Sequence, residues 1–200
     1  MWSPDCLQAL AAGQVVAFPT DTFFALACDP FCSPAVERVR RLKQRDPGQP
    51  LPLLIPLSLD WERIHCDQSP LARELAGAFW PGKLTLVVPC RGELAARVGR
   101  QGDGAVGLRA PGGERLQELL RAWDGPLVGT SANISGRPPA TTAAEVDTYF
   151  PSGPAWIAPE SAPGGKPSTV VDVCGERMLI AREGSVTSEQ LRKWQVNEPR

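Results

Sequence analysis

One histidine, one tyrosine and no excess of either charge mark this 200-residue chain, whose 21 basic residues stand against 22 acidic ones. A single histidine leaves any Ser-His-Asp or Cys-His nucleophile system dependent on His65, and its setting, RIHCD, reads as surface or structural. Balanced charge removes the global field that draws nucleic acid or a membrane surface, so a polyanion has to be held locally. No apolar run approaches the roughly 18 residues of a membrane span, LPLLIPLSL being the longest contiguous candidate. The first residues, MWSPDCLQALAAG, lack a basic leader and are interrupted by Asp5 and Gln8, which speaks against a signal peptide. The expectation is a soluble cytoplasmic protein without membrane contact. Six cysteines include no C-x-x-C pair, and with one histidine a zinc cluster lacks ligands. They are expected as reduced thiols filling small apolar spaces, Cys28 and Cys32 being the pair open to redox chemistry.

Apolar residues are plentiful, 42% of the chain, enough for one sizeable core and a single domain over residues 1–200. Strand-like runs, QVVAF, LPLLIPL, LTLVVPC, AVGLR, PLVGT, STVVDV and RMLIA, alternate with segments that open on helix caps at Ser3-Pro4, Ser33-Pro34, Ser69-Pro70 and Thr142. Further helices are expected from Gly113 to Trp123 and from Ser188 to Trp194. This alternation predicts an α/β fold. Proline, 21 residues in all, crowds into PSGPAWIAPESAPGGKPS, so Pro151 to Ser168 reads as a loop, either a binding lid or a surface excursion.

The most informative segment is PLVGTSANISG, Pro126 to Gly136, where a short apolar strand runs into hydroxyls, an amide and glycine. Such a loop can hold an anion or nucleotide, or can simply saturate its own turn. FPTDTFFAL delivers Thr20, Asp21 and Thr22 at the end of the strand QVVAF, a polar cluster suited to an amino acid's polar groups or to a plain turn. SPAVERVRRLKQR reads as a basic helix with a buried stripe of Ala35, Val36, Val39 and Leu42. On its wheel Arg38 and Arg41 form a solvated face, while Lys43 and Arg45 come at the helix end, where they face a phosphate or complement the helix dipole. In AVGLR the two-residue period puts Ala105, Gly107 and Arg109 on one face, so the guanidinium stands above a floor of small residues. Ser168 and Arg182 sit at strand edges beside glycine-rich backbone, and the turn of Trp80, Pro81 and Gly82 fixes how the next strand begins.

Taken in order, PTDTFFAL, KQR, PL, WPGKLTLVV, VGLRAP, GTSANISG, STVVDV and REG resemble the YrdC-like threonylcarbamoyl-AMP synthases, over about Gly13 to Gly184. The resemblance implies a twisted, mixed sheet with flanking helices around a concave basic cavity. It implies condensation of L-threonine, bicarbonate and ATP, accompanied by Mg2+, to L-threonylcarbamoyladenylate and pyrophosphate, the first step of the t6A modification of tRNA. Lys43, Arg45, Ser131, Asn133 and Arg182 would then contact ATP, and Thr22, Arg109 and Ser168 would hold threonine. tRNA or the machinery that receives the adenylate would be the partner. Asp21 stands open between a metal ligand and an orienting carboxylate.

The sequence departs from the family pattern in several places. Phe24 and Ala25 replace a Tyr-Gly pair, and the proline that normally follows K-x-R is displaced to Pro47. A histidine of longer relatives falls on Leu54, and another is replaced near Gly113. The rival reading is a non-catalytic RNA-binding paralogue, against which the neutral overall charge speaks. A hydrogenase-maturation carbamoyl-transfer domain would share the fold but normally comes with further segments.

Overall fold

The computed structural model describes residues 4–46 and 48–195. Among them, nine strands form one sheet in the order β7-β1-β2-β6-β3-β5-β4-β8-β9. Chain order runs α1 (Pro4–Ala11), β1 (Val16–Pro19), β2 (Phe24–Cys28), α2 (Ser33–Lys43), β3 (Leu53–Leu54), α3 (Pro70–Phe79), β4 (Leu84–Val88), α4 (Gly92–Val98) and β5 (Val106–Arg109). It continues through α5 (Glu114–Trp123), β6 (Leu127–Ser131), α6 (Ala143–Tyr149), β7 (Trp156–Ile157), β8 (Thr169–Asp172), β9 (Leu179–Arg182) and α7 (Ser188–Gln195). The sheet is mixed: β1 with β7, β3 with β5 and β4 with β8 are parallel, and the remaining pairs antiparallel. The expected α/β fold is therefore observed, and no helix of the described residues is long and apolar enough to cross a membrane.

Local chemistry explains most element ends. Ser69 accepts from Ala72 N at the start of α3, and Thr142 with Glu145 closes a capping box on α6. Ser33 instead lies inside α2, whose cap is Cys32 with no side-chain bond, and Ser3 falls outside the described residues. Gln44 ends α2 in the left-handed region, its N–H returning to the Arg40 and Arg41 carbonyls. LPLLIPL yields only the two residues of β3, because Pro52 and Pro56 bracket it and cannot donate to a ladder.

Two strands escape a local reading. FALAC is buried at every position, with no alternation to reveal it as β2. The proline-rich segment read as loop contains β7, which pairs with Val16 and Ala17 of β1, and its later part is tied by Gly164 N to Thr22 O at 2.7 Å.

The cysteine expectation needs one correction. Cys66 and Cys90 form a disulfide, while Cys6, Cys28, Cys32 and Cys174 are free. The two half-cystines face each other in an isolated antiparallel bridge, flanked by Asp67 N to Pro89 O and Arg91 N to His65 O. They occupy a non-hydrogen-bonded pair, where opposite residues approach most closely, and their Cα atoms lie 4.1 Å apart.

Candidate active site

The sheet's two faces differ in residue size. On one, Val106, Leu108, Leu84, Leu86, Val88 and Val171 are fully buried in the core. On the other, Gly107, Gly129, Ala25, Thr85, Val87 and Val170 line a cavity of about 540 Å3, large enough for a nucleotide. Gly129 is required there: a Cβ would meet Leu54 Cγ at 2.2 Å. Ala105, Gly107 and Arg109 all line this cavity, as the two-residue period predicts. Phe24, Ala25 and Leu54, three of the departures from the family pattern, also reach the wall, whereas Gly113 lies at a smaller neighbouring pocket.

The S-x-N loop is built from within. Ser131 Oγ donates to Asn133 Oδ1 at 2.6 Å, and the Asn133 amide donates to the Ile134 and Arg137 carbonyls. Lys43, 2% exposed, sends its ammonium to Ser131 O, to Asn133 O and to Asn133 Oδ1. Three acceptors match the three protons of an ammonium. Burial, reinforced by Arg45, pushes the Lys43 pKa down to about 7. Lys43 thus stands behind the loop rather than in the cavity lining, while Ser131 and Asn133 do line it.

Four arginines share the wall: Arg45, Arg100, Arg109 and Arg182. Arg45 Nη2 donates to Pro50 O at 2.8 Å, but its buried Nε has no partner among the described residues. An orphaned buried donor at a cavity wall is the mark of a missing acceptor. Burial lowers the Arg45 pKa, with Arg40 and Arg182 adding repulsion. Arg182 donates to Ser168 O at 2.9 Å and to Ser168 Oγ at 3.3 Å. Arg109 is lowered by burial and by Arg182 and supported by Asp21, with which it forms an ion pair. Arg182 repels both Arg45 and Arg109, so three guanidinium groups share one wall, and an anion among them relieves that repulsion.

Hydroxyls complete the wall. Thr20 and Thr22 share a hydrogen bond of 3.0 Å, and Thr85 Oγ1 lies 3.0 Å from Ser168 Oγ. The expected site residues Thr22, Arg45, Arg109, Ser131, Asn133, Ser168 and Arg182 are therefore brought together. Thr20, read with Thr22 as a polar cluster, also lines the wall, whereas sequence reasoning missed Thr85 and Arg100. Thr85 had a signal, being the one polar residue of LTLVV on the face opposite the core. Arg38 is not merely solvated, since it donates to Ser152 O.

Among the described residues no carboxylate lines the cavity, and no group of three His, Cys, Asp or Glu could hold a metal ion. The donor set thus does not fit a resident divalent cation, and Asp21 is committed to Arg109 and Gly112.

Known proteins resemble the chain in sequence and in fold. A threonylcarbamoyl-AMP synthase of Hahella chejuensis is 35% identical over 86% of this chain and 94% of its own. The solved structure of P. abyssi Sua5 complexed with L-threonine matches with a TM-score of 0.84 and 30% identity over 94% of this chain, which spans 56% of that longer protein. E. coli YciO matches with a TM-score of 0.79 and 25% identity, covering 90% of this chain and 88% of its own. A family model for Sua5, YciO and YrdC, described as telomere recombination, matches residues 8–184. With that match over most of its length, the chain belongs to the Sua5/YciO/YrdC family.

Proposed function

We propose that this protein condenses L-threonine, bicarbonate and ATP into L-threonylcarbamoyladenylate and pyrophosphate, in the cytoplasm, as the first step of t6A formation on tRNA. The observation that carries this reading is a cavity whose wall bears Arg45, Arg109 and Arg182, the last repelling the other two, with an orphaned N–H on Arg45 and, among the described residues, no carboxylate in the lining. Such a wall suits two anions brought together, a triphosphate and an amino-acid carboxylate.

In this reading Arg45, Arg182, Ser131 and Asn133 hold the triphosphate, and Lys43 holds the loop from behind while adding its charge. Arg109 takes the threonine carboxylate, with Thr22 and Ser168 around the rest of the molecule. The amine adds to the carbon of bicarbonate with loss of water, giving a carbamate. A carbamate oxygen then forms a bond to the α-phosphorus of ATP, and the bond to the β-phosphate oxygen breaks, pyrophosphate leaving with the electron pair. The protein supplies position and charge, and no side chain acts as nucleophile. Mg2+ would arrive with ATP as part of that substrate and would supply further charge neutralisation at the phosphates.

The test is pyrophosphate release by the purified protein with ATP and Mg2+, omitting L-threonine or bicarbonate in turn. Release that needs both substrates supports the reading. ATP binding without release under the complete mixture overturns it.

A further inference from the structure

Asp21 lies in the turn between β1 and β2, outside the lining of the main cavity, and its carboxylate reaches across the chain to two donors. Oδ1 accepts from Arg109 Nη2, and Oδ2 accepts from Gly112 N at 3.1 Å. The Arg109 and Asp21 side chains are 8% and 16% exposed. A shielded carboxylate with one charged and one backbone donor is firmly placed, and it places its partner in turn. Arg109 Nε meanwhile donates to Gly82 O at 2.8 Å. With Nε and one N–H of Nη2 held, the two N–H groups of Nη1 and the second of Nη2 are the part of the fork left to meet a ligand.

The charge pattern adds a second line. Arg45 and Arg182 donate to carbonyls and a hydroxyl, so a ligand has to neutralise them. Arg109 carries its own carboxylate. A paired guanidinium keeps its directional donors but attracts a polyanion far less than a bare one. We propose that Asp21 is a positioning residue that aims Arg109 at the carboxylate of the amino-acid substrate and, by cancelling its charge, leaves the triphosphate to Arg45 and Arg182. This rests on the reading of Arg109 as the group that binds that carboxylate.

Gly112 allows the clamp to be disturbed without changing a charge. A Cβ there would come within 2.9 Å of Asp21 Oδ2, so Gly112→Ala displaces the carboxylate alone. The experiment is calorimetric titration of L-threonine, and separately of inorganic pyrophosphate, into wild type, Asp21→Asn, Gly112→Ala and Arg109→Ala, with thermal midpoints recorded. Asp21→Asn should weaken threonine by at least about tenfold, the size of a lost charged hydrogen bond, and tighten pyrophosphate several-fold. Gly112→Ala should weaken threonine less and leave pyrophosphate unchanged, and it carries the test alone if Asp21→Asn does not fold. Threonine affinity within twofold of wild type in the folded clamp variants, with binding lost in Arg109→Ala, overturns the proposal and spares the reading beneath it. Weaker threonine with unchanged pyrophosphate in Asp21→Asn overturns the electrostatic half. Wild-type threonine binding by Arg109→Ala overturns the underlying reading itself.

Discussion

Arg100 and Arg45 line the same cavity under opposite circumstances. Arg100 is gripped by Asp103 at Nε, at 3.0 Å, and by Asp172 at Nη1, at 2.6 Å. These bonds hold its pKa above the ordinary range and bring Asp103 down to about 2. Arg45 has a carbonyl, an orphaned Nε and a pKa lowered by burial and by neighbouring cations. One side-chain chemistry serves structure where carboxylates of the chain take up its charge, as at Arg100, and draws a polyanion where a ligand has to supply the counter-charge, as at Arg45; Arg109, paired with Asp21 but with donors left over, stands between them.

That contrast breaks most sharply at Arg45. Arg45→Ala should cut threonine-dependent pyrophosphate release by about 100-fold or more, as expected for a lost charge-stabilising donor. Its thermal midpoint should stay level or rise, because a half-buried cation, with an unpartnered Nε and no counter-charge among the described residues, is removed. A loss below about tenfold would take Arg45 out of the site.

Lys43→Met should act next most strongly, by about 10- to 100-fold, through the S-x-N loop whose three acceptors lose their ammonium. This variant should also lose stability, unlike Arg45→Ala, and a level midpoint would contradict the anchoring role. The Lys43 pKa lies near 7 in the folded chain, below its ordinary 10.5, so the unfolded chain binds the extra proton between those values. Its contribution to stability therefore rises with pH across that window and is lost as pH falls through 7. A triphosphate nearby raises the pKa again, so ATP binding at a pH inside the window should take up a proton. Calorimetry in buffers of different ionisation enthalpy reads that uptake, which Lys43→Met should abolish.

Arg100→Gln sharpens the comparison from the other side. It should lower the thermal midpoint while changing nucleotide affinity by no more than about threefold, because a cation already paired with carboxylates adds little to anion binding. A larger loss of affinity would make Arg100 a binding group after all. The smallest effect on activity belongs to the Cys66–Cys90 disulfide, whose half-cystines are absent from the cavity lining. Closing a loop of this length should contribute about 3 kcal/mol to stability, so reduction should lower the midpoint and leave turnover of the folded protein unchanged. Thiol titration of the unfolded, unreduced protein should find four thiols; six would refute the pairing.

Arg109 links site and stability in a way its position in AVGLR does not reveal. The motif suggests that Arg109→Ala spares the fold, but removing the guanidinium leaves the largely shielded Asp21 without its charged partner, so the variant should also lose stability. Lys43 shows the same limit. Its place at the helix end was legible from the wheel, yet the wheel does not say that Ser131 and Asn133, 88 and 90 residues later, would take all three of its protons. Legibility was best where one segment decides the outcome: the cap at Ser69, the capping box at Thr142 and the cavity face of β5. It failed where a partner lies far along the chain, as for β7 against β1, Cys66 against Cys90 and Asp21 against Arg109.

The sequence by itself determined the α/β alternation, the small-residue floor at Ala105 and Gly107, and the stock of cations and hydroxyls available to a site, since each follows from local periodicity and side-chain chemistry. The tertiary structure decided which of those cations remain for a ligand. A guanidinium carries its charge wherever it stands, but its neutralisation depends on the carboxylate that the fold brings within reach, and that distance is set by strand order rather than by neighbouring residues.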